Sequence, residues 1–298
     1  MEKHHGRQNV DHINSIGGKT DLPLYRSDYM DEEMYVREVI ESGSLYSVFQ
    51  PIVDHQQQLV VAHEALSRPY WNDQILPPDI WFQSSTSENQ QIAADVLAIH
   101  TALRQFEPGE LTHKLLFVNI TPTSLVDVNF MNFLENILYL RAVDPTQLVI
   151  GIIEYVPYEA TVLSPVFQAL RSYGMKFALD DIGHECSEKD LVSKVELLEP
   201  DYIKIDRSLI HGISTSARQQ NALQSILEYI PNLIGVIAEG VERRTDLEWL
   251  SSIGVDLSQG YYWSEPLRMA QILSFMKGRH NNSMDPLLYA YRDFWKSE

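Results

Sequence analysis

Short apolar runs alternate along most of this chain with longer stretches of helical character. The runs are 46–53, 59–66, 115–120, 148–154, 176–180, 202–205, 235–238 and a weaker one at 257–261. Most are separated by room for a helix, which predicts an α/β fold with a largely parallel sheet. Only residues 54–58 separate the first two runs, too few for a crossover helix, so these two should form an antiparallel hairpin.

The two ends of the chain show different patterns. Residues 1–26 are polar without periodicity and are interpreted as a flexible leader. A rough apolar stripe predicts a helix at about 31–42, and the tail after Pro266 predicts two helices, around 270–277 and 286–295. No linker rich in Gly, Pro or Ser divides residues 45–265.

Polar residues fall at or just after the ends of the apolar runs. They are Glu64, Asn119, Glu154, Asp180, Asp181, Lys204, Glu239 and Gln259. Strands buried on both faces should stay apolar, since charged residues are rarely buried unless they are paired. In a parallel barrel all strand carboxyl ends meet at one face, where active sites are built. These distant residues should therefore converge on one site.

The charges of that site favour a metal. Six carboxylates are set against two cations, Lys204 and Arg68; the carboxylates are Glu64, Glu154, Asp180, Asp181, Glu239 and Glu242. Carboxylates close together in a low-dielectric cleft are unfavourable unless some protonate or a cation binds. Oxygen ligands without Cys or His favour Mg²⁺ or Mn²⁺ over Zn²⁺.

Composition narrows the classes of partner and compartment. The 298 residues include 23 Lys+Arg and 41 Asp+Glu, a net charge of −18. Such a chain is a poor candidate for binding a nucleic-acid polymer or an anionic membrane. The single Cys186 cannot form an intrachain disulfide, and no signal peptide or membrane-spanning apolar run is present, so a cytoplasmic protein without membrane insertion is expected.

The same residues belong to a series of short motifs that matches a known family. In order, the chain carries Glu64-Ala65-Leu66 with Arg68, Phe117-Val118-Asn119, Asp180-Asp181, Lys204-Ile205-Asp206, Ala238-Glu239-Gly240-Val241-Glu242 and Gln259-Gly260-Tyr261. Over about residues 44–267 the chain resembles the EAL-domain family, phosphodiesterases for cyclic di-GMP. A lone Glu-Ala-Leu triplet would mean nothing, but six motifs in order at matching spacing are specific.

The resemblance implies a fold and an activity. It implies a TIM-like (β/α)8 barrel with the first strand antiparallel, here over 44–267, between an N-terminal helix (27–43) and a C-terminal helical extension (268–298). It also implies hydrolysis of cyclic di-GMP to linear pGpG and a homodimer. Because the sequence shows no sensory or cyclase domain, a regulatory input is expected through the leader, the C-terminal helices or an unknown partner.

The resemblance further implies a role for each site residue. Two ions, Mg²⁺ or Mn²⁺, would activate a water for attack on the phosphodiester. The metal ligands would be Glu64, Asn119, Glu154 and Asp180, with Asp181 helping to hold a second ion and the water. Lys204 would polarise that water, and Glu239 would be the general base or a second-metal ligand. Arg68 would contact a substrate phosphate, and Glu242 and Gln259 would complete the substrate site.

Departures from the pattern open an alternative. The loop 182–190 lacks the small hydroxyl and glycine residues of the family, and Pro157 replaces the second glutamate of a Glu-x-x-Glu motif that begins at Glu154. A weak or inactive barrel that acts as a cyclic di-GMP receptor or protein-interaction module is the second hypothesis. A third is a barrel glycosidase with two carboxylates and no metal.

Overall fold

The computed structural model describes residues 32–72, 74–76, 81, 87–106, 111, 114–139, 143–153, 157–183 and 187–277. The predicted leader (1–26), the second predicted C-terminal helix (286–295), Glu154 and Cys186 lie outside these residues. Within the described ranges, no helix is long and apolar enough to cross a membrane.

Strands and helices alternate as the apolar runs predict. The strands are β1 (Leu45–Asp54), β2 (Leu59–Trp71), β3 (Gln74–Ile75), β4 (Leu115–Ile120), β5 (Leu148–Ile152), β6 (Lys176–Ile182), β7 (Tyr202–Ile205), β8 (Gly235–Ala238) and β9 (Leu257–Ser258). The helices are α1 (Glu32–Ser42), α2 (Glu88–Gln105), α3 (Pro122–Leu125), α4 (Val128–Tyr139), α5 (Ala160–Arg171), α6 (Glu188–Leu198), α7 (Arg207–Ile210), α8 (Ala217–Glu228), α9 (Arg244–Ser252) and α10 (Met269–Lys277). Single 3-10 turns lie at Pro145–Gln147 and Ile213–Thr215.

The sheet closes on itself. Strands β1, β9, β8, β7, β6, β5, β4 and β2 follow one another in that order, and β1 also pairs with β2. Strand β1 is antiparallel to both of its neighbours, whereas the other barrel pairs are parallel. Strand β3 only extends β2 outside the barrel. The predicted barrel with an antiparallel first strand is therefore confirmed.

Three apolar clusters hold the fold together. A large one lies between the barrel and the helices around it. A second joins α1 to α2 and to the start of β1, through Tyr35, Val36, Ala94 and Leu45. The third fills the inside of the barrel and contains Ile52, Ala62, Phe117, Val149, Ala178 and Ile237, with Tyr202 and Leu257 packed against it. This interior layer is the floor beneath the candidate site.

Several strand ends differ from the sequence prediction. Strand β2 continues five residues past 66 to Trp71, because it pairs with β1 as far as Pro69 and then with β3 through Tyr70 and Trp71. Strand β9 stops at Ser258 instead of 261. The chain turns there at Gly260, whose φ is 150° and whose missing Cβ would lie 2.3 Å from the Val241 carbonyl oxygen. Only glycine fits such a close backbone approach.

Candidate functional site

One residue in each barrel strand, or directly after it, lies above the interior layer. Side chains alternate along a strand, so the residue two positions closer to the mouth points inward like the interior-layer residue of the same strand. These positions, which we call the mouth ring, are Gln50, Glu64, Asn119, Gly151, Asp180, Lys204, Glu239 and Gln259. All except Gly151 line one cavity of about 380 Å³. The fold thus brings together the described strand-end residues that the sequence singled out.

Lys204 is the centre of the mouth ring. Its side chain is only 2% exposed, and its Nζ lies 2.9 Å from Glu64 Oε1, 2.9 Å from Asp180 Oδ2 and 2.8 Å from Glu239 Oε1. Burial lowers its pKa, but the charges of Asp180, Glu239 and Glu64 raise the pKa of Lys204 well above its ordinary value. One ammonium therefore stays charged and fixes three carboxylates from three strands.

Glu64 is held by hydrogen bonds on both of its oxygens. Asn119 Nδ2 donates to Oε1 at 2.7 Å, and Gln259 Nε2 donates to Oε2 at 2.7 Å. Burial raises the pKa of Glu64, but the charge of Lys204 and the hydrogen bonds from Asn119, Lys204 and Gln259 outweigh it and hold that pKa below its ordinary value. Glu64 is therefore an ionised carboxylate whose two oxygens are both held in place.

Asp180 and Asp181 both reach the mouth because β6 breaks its alternation. The register with β7 shifts between Leu179 and Ile182, and Asp181 has a left-handed φ of 54°. Asp residues tolerate this conformation better than most, and such irregularities are frequent beside active sites. A carboxylate oxygen from each of Asp180, Asp181 and Glu239 lies within 4.8 Å of the other two.

These three carboxyl groups carry more charge than their surroundings neutralise. Burial raises the pKa of Asp180 and raises that of Glu239 well above its ordinary value, in spite of the opposing charge of Lys204. Partial burial and the charge of Asp180 raise the pKa of Asp181 to about 6. The cluster is therefore electrostatically deficient in cations.

The donor set fits a hard divalent cation. In the described lining of the cavity, five carboxylates face two cations, and one of these cations, Arg207, pairs with Glu242 at 2.7 Å. The oxygens Asn119 Oδ1 and Gln259 Oε1 are buried and accept no hydrogen bond within the described part of the chain. Carboxylate and amide oxygens are the ligands that Mg²⁺ and Mn²⁺ prefer.

Strand β4 is anchored from outside the barrel by a buried carboxylate. Asp95 on α2 accepts hydrogen bonds from Thr121 N at 2.9 Å and Thr121 Oγ1 at 2.6 Å, two residues beyond Asn119. Burial raises the pKa of Asp95 to about 6. This contact fixes the end of the strand that carries Asn119.

Of two predicted substrate contacts, Glu242 lines the cavity and Arg68 does not. Glu242 lines the cavity, where it meets Arg207. Arg68 does not line it: its guanidinium donates to the Ser67 carbonyl and lies in an adjoining cavity of about 190 Å³, which shares Leu66 and Asn119 with the first. The phosphate contact predicted for Arg68 stays a prediction.

Two members of the mouth ring were missed by the sequence prediction. Gln50 on β1 accepts from Gln259 Nε2 at 2.8 Å and donates to the Ser264 carbonyl. A lone amide inside the apolar run 46–53 was the available signal for it. Gly151 is the β5 member, and nothing in the sequence marks it, because its place in the ring follows only from the pairing of β5 with β4.

The family follows from a comparison with family models. Residues 33–266 match the model described as EAL domain. The chain belongs to the EAL domain family. The solved EAL domain protein from Listeria monocytogenes EGD-e is 26% identical, with a TM-score of 0.72 over 84% of this chain and 98% of that one. Klebsiella pneumoniae BlrP1, solved as a complex with manganese and cyclic di-GMP, is 28% identical, with a TM-score of 0.64 over 75% of this chain and 56% of that one.

Two of the curated relatives have names that describe different functions. Escherichia coli K12 "Probable cyclic di-GMP phosphodiesterase PdeN" is 28% identical over 247 residues, 80% of this chain and 46% of PdeN. The "Blue light- and temperature-regulated antirepressor BluF" of the same strain is 25% identical over 240 residues, 80% of this chain and 58% of BluF. The chain spans about half the length of these two relatives.

Proposed function

We propose that this EAL domain binds cyclic di-GMP at the barrel mouth and hydrolyses one of its phosphodiester bonds with divalent metal ions, giving linear pGpG. The observation that carries the proposal is the mouth ring, where oxygen ligands from separate strands surround one lysine and leave excess negative charge. The named activities of phosphodiesterase relatives and the manganese complex of BlrP1 agree with this chemistry.

The side chains divide the work between holding ligands and moving a proton. Bound Mg²⁺ or Mn²⁺ would supply Lewis-acid activation of the water nucleophile and neutralise charge on the phosphate. Lys204 fixes the carboxylates of Glu64, Asp180 and Glu239 relative to one another. Because the pKa of Glu239 is raised, its carboxylate is the stronger proton acceptor and is proposed as the general base for the attacking water.

The rim offers groups for the rest of an anionic dinucleotide. Arg207 lines the cavity with a side chain that is 61% exposed, so its guanidinium is accessible to a phosphate oxygen. Tyr261 also lines the cavity, is 49% exposed, and presents an aromatic ring on which a guanine can stack. We assign these two residues to substrate binding together with Gln259, Glu242 and Arg68.

The test is chromatography of cyclic di-GMP after incubation with the purified protein and Mn²⁺, Mg²⁺ or EDTA. We expect pGpG with a divalent ion and none with EDTA. Glu64→Ala should abolish the product, whereas Glu248→Ala, on an exposed ion pair with Arg244, should not change it. No pGpG with either metal would refute hydrolysis.

A second candidate function, binding without turnover, is favoured by one observation. Strand β5 places Gly151 in the mouth ring, so this strand brings no ligand to the ring from its described residues. Calorimetry would then show cyclic di-GMP binding while chromatography shows no pGpG. Turnover by the wild-type protein that disappears in Glu239→Gln would exclude this candidate.

A further inference from the structure

Gly151 is the exception in an otherwise polar ring. The other seven members carry a carboxylate, an amide or an ammonium, and each stands two positions from a residue of the same apolar interior layer, on the side of the mouth. Gly151 stands two positions after Val149 of that layer and is paired in register with Asn119 on β4 and Ala178 on β6. Its position is therefore equivalent to the ligand positions of the neighbouring strands.

The backbone does not require glycine at this position. Gly151 is not among the described residues with a positive φ, and it lies in a regular parallel ladder. A Cβ at position 151 would lie 2.4 Å from Asn119 Oδ1 and 3.5 Å from Asn119 Cγ. The missing side chain therefore gives space to the Asn119 amide, whose Oδ1 is buried and accepts no hydrogen bond from the described residues.

We propose that Gly151 sets the divalent-cation affinity of the mouth by leaving the β5 position of the ring without a ligand. The Asn119 amide occupies the space that a side chain at position 151 would enter, and a neutral amide oxygen stands where a second carboxylate could stand. The centre is then weakly occupied, and its state follows the concentration of free divalent ions. This inference rests on the metal centre of the proposed function.

The test is Mn²⁺ binding by the full chain, followed by electron paramagnetic resonance of the free ion, in the absence of any nucleotide. The variants are Gly151→Glu and its uncharged match Gly151→Gln, which displace the Asn119 amide equally. A gained carboxylate ligand should tighten Mn²⁺ binding about tenfold or more relative to the glutamine variant. The glutamine variant should bind no more tightly than the wild type.

A second pair of variants with shorter side chains keeps the test valid if the longer side chains disturb the fold. Gly151→Asp and Gly151→Asn repeat the comparison, and far-UV circular dichroism checks the fold of all four variants. The proposal is overturned if neither carboxylate variant binds Mn²⁺ more tightly than its amide counterpart.

The outcome is separable from that of the hydrolysis assay. Tighter Mn²⁺ binding by Gly151→Glu, together with no pGpG from the wild type, would refute the proposed hydrolysis and support the role of Gly151. Hydrolysis by the wild type with no gain in the carboxylate variants would refute the role of Gly151 alone.

Discussion

The two sides of the barrel mouth surround their buried carboxylates with different partners. On the side of β1, β2, β4 and β9, the carboxylate of Glu64 receives hydrogen bonds from two amides, and Gln50 completes the chain of contacts through Gln259. On the side of β6, β7 and β8, the carboxyl groups of Asp180, Asp181 and Glu239 cluster, and only Asp180 and Glu239 contact the ammonium of Lys204. We call these the amide side and the acid side.

The difference appears as opposite pKa shifts of chemically similar groups. Glu64, on the amide side, has a lowered pKa, whereas Asp180, Asp181 and Glu239 on the acid side have raised ones. Burial raises the pKa of all four groups. For Glu64 the charge of Lys204 and the hydrogen bonds that it accepts outweigh burial, whereas on the acid side the neighbouring carboxylates add to it. On the amide side Glu64 is neutralised by donors of the protein itself, whereas the acid side keeps carboxyl groups whose charge the protein does not fully neutralise.

Removing the lysine that joins the two sides should have the largest effect. Lys204→Met leaves Glu64, Asp180 and Glu239 buried without their shared cation, and breaking a buried pair costs about 3–5 kcal/mol. Urea unfolding at pH 7 without metal would measure this loss, with exposed Lys189→Met as the control within about 0.5 kcal/mol of the wild type. A Lys204→Met variant as stable as that control would mean that the carboxylates are not held by the lysine.

Divalent ions should stabilise the protein through the acid side. Saturation at one hundred times the dissociation constant raises the free energy of unfolding by about 2.7 kcal/mol. Asp181, whose pKa is raised to about 6, must lose its proton to bind a cation, so Mn²⁺ affinity should increase from pH 5 to pH 7. Thermal melting with Mn²⁺ at each pH would measure this. An affinity that is unchanged over this range would contradict the role given to Asp181.

A neutral substitution on the amide side should cost less than loss of the lysine. Glu64→Gln keeps the size of the side chain but removes the charge that faces Lys204 and one of the oxygens that accept hydrogen bonds from Asn119 and Gln259. We expect a loss of about 1–3 kcal/mol in metal-free urea unfolding, the cost of leaving buried donors unsatisfied. An increase in stability would show that Glu64 belongs with the unneutralised acids.

The matching substitution on the acid side, Asp181→Asn, should change the pH dependence of the free energy of unfolding more than its value at pH 7. Because the folded-state pKa of Asp181 is raised, its contribution favours the folded state below about pH 4 and is lost as the pH rises through about 6. Metal-free Asp181→Asn should therefore lose less stability than the wild type between pH 4 and pH 7, and should be no less stable at pH 7. Urea unfolding at several pH values measures both, and parallel curves would argue against the shift.

The sequence by itself determined the order of strands and helices, the antiparallel start and the set of acids at the strand ends. Apolar runs and their spacing act locally along the chain, so they can be interpreted without the fold. For the same reason, β4, β7 and β8 have their predicted bounds, whereas β9 ends early at a turn that depends on contact between Gly260 and Val241.

Only the tertiary structure decided which acids are paired, which remain in excess and that the described part of β5 places a glycine in the ring. Lys204 could not be placed between Glu64, Asp180 and Glu239 from spacing, because these residues meet only when the barrel closes. The same closure sets Gly151 against Asn119 and moves Arg68 to an adjoining cavity. Distances across a barrel depend on the register of its strands, and the pKa values depend on those distances and on burial.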